Sequence, residues 1–134
     1  MRDTCLCLHV QRAARTLARL FDEALRPVGL TSGQFSLLNA LNRPAPPSIA
    51  PVAQLLAMDR TTLTAALKPL ERDGLIAIAK DPDDRRNRLL SLTDKGRETL
   101  AAAIPIWCET HDNVEACLAD RQPADLRGAL KALS

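Results

Sequence analysis

Apolar residues recur at steps of three and four along most of this chain, broken by proline- and glycine-rich joints and by one stretch of strict alternation. From Leu6 to Arg26, the residues Leu6, Val10, Ala13, Leu17, Leu20, Phe21 and Leu25 mark one face, with Arg12, Arg15, Arg19, Asp22 and Glu23 between them. That spacing predicts a long amphipathic helix. It stops at Pro27 and Gly29, because proline disfavours helix in the preceding residue and glycine supplies a left-handed turn. Thr31 caps a second, short helix, with Gln34 placed for a capping box and Phe35, Leu37, Leu38 and Leu41 as its buried face. Pro44, Pro46 and Pro47 make residues 42–47 a stiff connection.

Beyond it, Val52, Ala53, Leu55 and Leu56 predict a short helix starting at Ser48 or Ile49. After a tight link at Ala57 and Met58, Asp59 caps another helix that runs to Arg72 and ends at Gly74. Leu63, Ala66, Leu67 and Leu70 face inward on this second helix and polar residues fill its first turns, which is the pattern of a helix-turn-helix. Pro69 predicts a kink, since it removes a hydrogen bond to the carbonyl of Ala65 at a cost of about 3 kcal/mol.

The period then changes. Leu75, Ile76 and Ile78 predict one strand, and Leu90 and Leu92, alternating with Ser91 and Thr93, predict a second. Between them, Pro82 with Asp81, Asp83 and Asp84 favours a tight turn that presents Arg85, Arg86 and Arg88 at the tip of a hairpin. A guanidinium presented in this way suits a narrow minor groove of duplex DNA. Thr93 caps a long helix through Leu100, Ala103, Ile104 and Trp107 to Leu118, interrupted by Pro105, and a last short helix spans Pro123 to Leu133.

The 134 residues, 46% of them hydrophobic, suffice for one compact domain extended by helices. A formal charge of +2 permits nucleic-acid binding without announcing it. No apolar run reaches membrane-spanning length and charge breaks the first residues early, so a cytoplasmic protein with no membrane partner is expected. Cys5, Cys7, Cys108 and Cys117 lie in helical segments and are expected as reduced thiols. Phe21, Phe35 and Trp107 are the only aromatics, too few for a base-stacking surface, which favours duplex over single-stranded partners. Enzyme classes fare poorly: there is no glycine-rich phosphate loop, no nucleophile motif, and neither histidine has a partnered carboxylate.

Gly29-Leu30-Thr31 with Gln34-Phe35, Asp59-Arg60-Thr61-Thr62-Leu63, Leu70-Glu71-Arg72-Asp73-Gly74-Leu75-Ile76, Asp81-Pro82-Asp83-Asp84-Arg85-Arg86 and Leu90-Ser91-Leu92-Thr93-Asp94-Lys95-Gly96 follow one another along the chain. In this order they resemble the multiple-antibiotic-resistance regulator (MarR) family. The resemblance implies a mainly α fold with a small β-hairpin wing: a winged helix-turn-helix lobe over residues 31–95, flanked by dimerising helices over 1–30 and 96–134. It implies a homodimer that binds a pseudo-palindromic operator as a repressor or activator, released by a small-molecule effector, with no cofactor. Arg60 to Asp73 would enter the major groove and the hairpin the neighbouring minor groove.

On that frame Arg86 is the foremost minor-groove residue, because the family's Asp-x-Arg motif falls on Asp84 and Arg86 and makes the Asp84 carboxylate the brace of the guanidinium. Arg85 and Arg88 are candidates for phosphate contact or for structural ion pairs. Arg60, Thr61, Thr62 and Thr64 are candidates for base edges or phosphates, some of the threonines serving only as caps, and Lys68 for the phosphate backbone. Cys5 sits where a helix dipole favours thiolate, and some relatives sense oxidants through an N-terminal cysteine, so a redox-sensing regulator is one alternative. A winged-helix module for protein association alone is another. Cys108 and His111 lie three apart and His9 lies near Cys5, yet none matches a zinc-ligand pattern, and no metal is expected.

Overall fold

The computed structural model describes residues 1–134. Six α-helices and one hairpin follow in order: α1 (Leu6–Leu25), α2 (Ser32–Ala40), α3 (Ile49–Leu55), α4 (Arg60–Arg72), β1 (Ile76–Lys80), β2 (Arg88–Leu92), α5 (Asp94–Ala116) and α6 (Pro123–Ala132). No helix is long and apolar enough to cross a membrane.

Local chemistry sets most of the boundaries. The Thr31 hydroxyl accepts from Gln34 N–H at 3.2 Å and the Gln34 side chain accepts from Thr31 N–H at 3.1 Å, a complete capping box that satisfies two otherwise orphaned donors of α2. The neighbouring Ser32 N–H donates to the Asp22 carboxylate of α1 at 2.6 Å, tying the two helices at their joint. Gly74 takes a φ of 75°, and Leu75 N–H reaches back to the Leu70 carbonyl at 2.9 Å, closing α4 in a Schellman turn. The Thr93 hydroxyl accepts from Gly96 N–H at 3.0 Å and starts α5.

The core lies where α2, α3, α4, the hairpin and the first half of α5 meet. Leu38, Val52, Leu63, Leu67, Leu70 and Leu90 are its fully enclosed side chains, joined by Leu25 from the end of α1. The hairpin is antiparallel, Ile76 facing Leu92 and Lys80 facing Arg88. Its outer strand is covered in part, because Leu90 N–H donates to the Pro47 carbonyl at 2.9 Å and Ser48 forms a bridge with Leu89. The proline-rich connection is thus sewn to the hairpin.

Two expectations change. α5 runs through Pro105 without interruption, while α4, as expected, carries Pro69 inside a helix that reaches Arg72. In each helix buried residues hold the stretch around the proline, Leu67 and Leu70 in α4 and Leu100 and Ala103 in α5, and their packing offsets the lost backbone bond. The hairpin connection is a loop over residues 81–87, wider than the tight turn expected, closed by Asp81 N–H to the Asn87 carbonyl at 3.1 Å.

Candidate nucleic-acid interface

α3 and α4 meet at a turn in which Ala57 holds a left-handed φ of 53°. Asp59 then starts α4, accepting from Thr62 N–H at 2.7 Å and from the Thr62 hydroxyl at 3.0 Å. With about 3.6 residues per turn, Leu63, Leu67 and Leu70 fall on one side of α4 and are buried, while Arg60, Thr61, Thr64, Ala65 and Lys68 form a continuous outward arc and are exposed. These five residues line one shallow basic groove. Thr62 lies beside the arc and donates both its backbone N–H and its hydroxyl to the capping Asp59. Arg72, exposed and four residues beyond Lys68, extends the same arc. The sequence pattern does not single it out, although its spacing carries the signal.

Hydrogen bonds to Thr62, first from its backbone and then from its hydroxyl, hold the Asp59 carboxyl below the usual aspartate range. A depressed folded pKa means that the cap stabilises fully above the unfolded value and is lost as pH falls through the folded one. Asp59→Ala is therefore expected to melt below the wild type at pH 7, with the gap closing as pH drops below about 4. Equal gaps at pH 7 and pH 3 in thermal melts would remove the carboxylate from this role.

The wing tip is ordered by its own carboxylates. Asp83 N–H donates to the Asp81 side chain at 2.9 Å and Arg86 N–H to the Asp84 side chain at 3.1 Å. Asp84 thus fixes the backbone of Arg86, and no ion pair joins it to the guanidinium, which corrects the expected brace. An Asx-type bond to the second residue on is the shorter local solution for aspartate in a turn. Arg85 and Arg86 stand exposed at the tip. Arg88, half-buried at the start of β2, turns its guanidinium back onto the carbonyls of Arg85 at 3.0 Å and Asn87 at 3.4 Å. It closes the loop.

The lobe is joined to the long helices through Trp107 of α5. Its ring stacks on Phe35 of α2 at 5.8 Å and on His111 at 4.5 Å, and lies 6.2 Å from Phe21 of α1. His111, expected to lack a carboxylate partner, lies 3.5 Å from the Glu115 carboxylate one helical turn on, which Arg127 of α6 holds at 2.6 Å. Beside Trp107 is an open surface pocket of about 410 Å3 lined by Phe35, Asn39, Asn42, Arg43 and Leu55. All four cysteines are free and exposed; the Cys5 sulfur caps α1, accepting from Leu8 N–H at 3.4 Å. No three of His, Cys, Asp and Glu gather as a metal ion would need, Cys108 and His111 included.

The helix-turn-helix with its hairpin is matched by the model of the winged helix DNA-binding domain, over residues 30–96. The transcriptional regulator MosR of M. tuberculosis in complex with DNA superposes with a TM-score of 0.87 at 36% identity, covering 96% of this chain and 92% of that one. The transcriptional repressor CouR bound to a 23-mer DNA duplex gives a TM-score of 0.77 at 33% identity, over 98% of this chain and 90% of CouR. The transcriptional activatory protein BadR of Rhodopseudomonas palustris is 35% identical over 95 residues, 69% of this chain. The chain spans about half the length of the curated relatives it matches first, 54% of BadR and 49% of the next. A capped, outward-facing second helix, a hairpin wing and this likeness along nearly the whole chain have one meaning: the protein belongs to the MarR family of winged helix-turn-helix, DNA-binding transcriptional regulators.

Proposed function

We propose that the protein works as a homodimeric repressor that holds a pseudo-palindromic operator and lets go when a small effector binds. The lobe over residues 31–95 supplies the reading surface: Arg60, Thr61, Thr64 and Lys68 meet the major groove, Arg86 enters the minor groove, and Arg85 and Arg72 take phosphates. Thr62 and Arg88 act by holding the cap and the wing loop. The observation that carries this reading is the exposed arc of α4 followed directly by an exposed arginine tip. Binding to the protein's own upstream DNA, followed by fluorescence anisotropy over a salt series, is expected to beat a scrambled duplex and to weaken linearly in log salt. No preference for either duplex would end the proposal and leave the protein-association reading.

The flanking helices support the dimer. Leu6, Val10, Leu17 and Leu20 of α1 and Leu126 and Leu130 of α6 are exposed, and Leu25 alone of α1 is buried. So much apolar surface on helices at both ends of a chain suits a second copy. Wild-type protein is expected to sediment as a dimer and the double variant Leu20→Asp, Leu130→Asp as a monomer that has lost its operator. A wild type that sediments as a monomer at micromolar concentration would sink the dimer. The pocket beside Trp107 is the room for an effector.

Thiol control is a second reading, favoured by the exposed Cys5 sulfur at the start of α1. Peroxide would convert the thiol to sulfenic acid and be reduced to water, disturbing the cap. Peroxide is expected to lower operator affinity in the wild type and not in Cys5→Ser; an equal response in both would clear Cys5 of the role.

A further inference from the structure

A second, smaller cavity of about 90 Å3 lies at the base of the wing, lined by Asn42, Arg43, Pro44, Ser91, Leu92 and Arg97, with Leu41 and Pro46 completing it. Two arginines and no carboxylate face it. Arg43 Nε donates to the Ala40 carbonyl at 3.0 Å, and Arg97 Nη1 donates both to the Leu92 carbonyl at 3.2 Å and to the Asp94 carboxylate at 3.4 Å, which leaves the other donors of each fork free. Asp94 touches Arg97 from outside, at 3.4 Å and fully exposed, and is not part of the lining. Both side chains line the same niche, so an anion seated there is drawn by two positive charges. We propose that this niche binds the phosphate group of a small phosphorylated ligand. Two planar forks suit a dianionic tetrahedral group better than a single carboxylate, and the Asn42 amide and Ser91 hydroxyl add neutral bonds.

The niche is separate from the DNA-reading surface. Leu92 pairs with Ile76 at the far end of the hairpin from residues 81–87, so Leu92 sits roughly 13 Å along the strand from the start of that loop at about 3.3 Å per residue. Asn42 and Arg43 line both this niche and the pocket of Phe35 and Trp107. A ligand with its phosphate in the niche would have the pocket beside Trp107 as the neighbouring site for its apolar part. It also clamps the 42–47 connection to β2, the two segments already joined through Pro47 and Leu90. That the ligand then alters operator affinity rests on the effector reading above; that the niche binds phosphate does not.

The test is an amide NMR titration of the whole protein, first with inorganic phosphate and then with phenyl phosphate, at constant ionic strength in chloride. Saturable shifts are expected at Asn42, Arg43, Ser91 and Arg97, with phenyl phosphate at least about tenfold tighter through the pocket. Arg43→Gln and Arg97→Gln are each expected to weaken both ligands about tenfold. Arg43→Lys, which keeps the charge and loses the fork, covers the case in which Arg97→Gln loosens the wing base. Shifts confined to α4 and the wing tip, or niche shifts unchanged in Arg43→Gln and Arg97→Gln alike, would overturn the proposal. Niche binding that leaves operator affinity untouched upholds the site and removes only the effector reading.

Discussion

Gly96→Ala is expected to lower the melting temperature by roughly 10 °C, the equivalent of about 3 kcal/mol of overpacking that the site has no room to relax. Gly96 lies in the first turn of α5, buried against the turn that ends α4. A methyl group there would overlap the Leu75 carbonyl oxygen outright and stand 3.0 Å from its carbon. The obstacle is backbone, so no side chain can swing aside. That backbone is also fixed from several directions: Leu75 O accepts from Thr93 N–H at 3.1 Å, the Thr93 hydroxyl donates to the Gly74 carbonyl at 2.6 Å, and Lys95 Nζ donates to the Asp73 carbonyl at 2.8 Å. The same suture joins the end of α4 to the start of α5, so operator affinity is expected to fall with the melting temperature. Gly33→Ala is the control. It sits exposed in α2 with open space around the new methyl, and is expected to change stability by no more than about 1 kcal/mol, in the stabilising direction. A Gly96→Ala protein that melts with the wild type would show that the α4–α5 joint yields freely.

What could be read from the chain follows the range of the interactions. The boundaries at Thr31, Asp59, Gly74 and Thr93 depend on bonds between residues a few positions apart, and the sequence carries each of them as a local pattern. The outward arc of α4 is legible for the same reason, since helical period alone sorts Leu63 and Leu67 from Thr64 and Lys68. Contacts that cross the fold leave no such trace. The bond from Leu90 to Pro47, the stack of Phe35 on Trp107 and the niche that Arg43 and Arg97 both line bring together residues more than forty positions apart. Pro105 misleads because propensity is local while the packing that overrides it is not. Asp84 shows a finer limit: the motif places a carboxylate two residues before Arg86, and only the structure tells that it orders the backbone and leaves the guanidinium unpaired.

That unpaired guanidinium makes Arg86→Ala the single substitution on the DNA-reading surface with the largest expected effect on DNA. The side chain is exposed and enters no ion pair, and its backbone N–H stays bonded to Asp84 whatever the side chain is, so stability is expected to hold within about 0.5 kcal/mol. Operator affinity is expected to fall by about 1–3 kcal/mol for each guanidinium taken out of a groove, and a symmetric dimer carries two. The combined loss is thus at least roughly thirtyfold in Kd, measured by anisotropy on the upstream duplex. Arg86→Lys separates charge from shape. Lysine is a strongly hydrated point charge that gives up its water reluctantly in a narrow groove, so it is expected to recover only a small part of the loss. Arg88→Ala should behave differently, because its guanidinium is spent on the carbonyls of Arg85 and Asn87. Its removal frees the loop, weakening the operator less than Arg86→Ala while lowering the melting temperature slightly. If Arg86→Ala binds the operator like the wild type, the wing does not enter the minor groove through this residue, and Arg85, beside it at the tip, becomes the next side chain to remove.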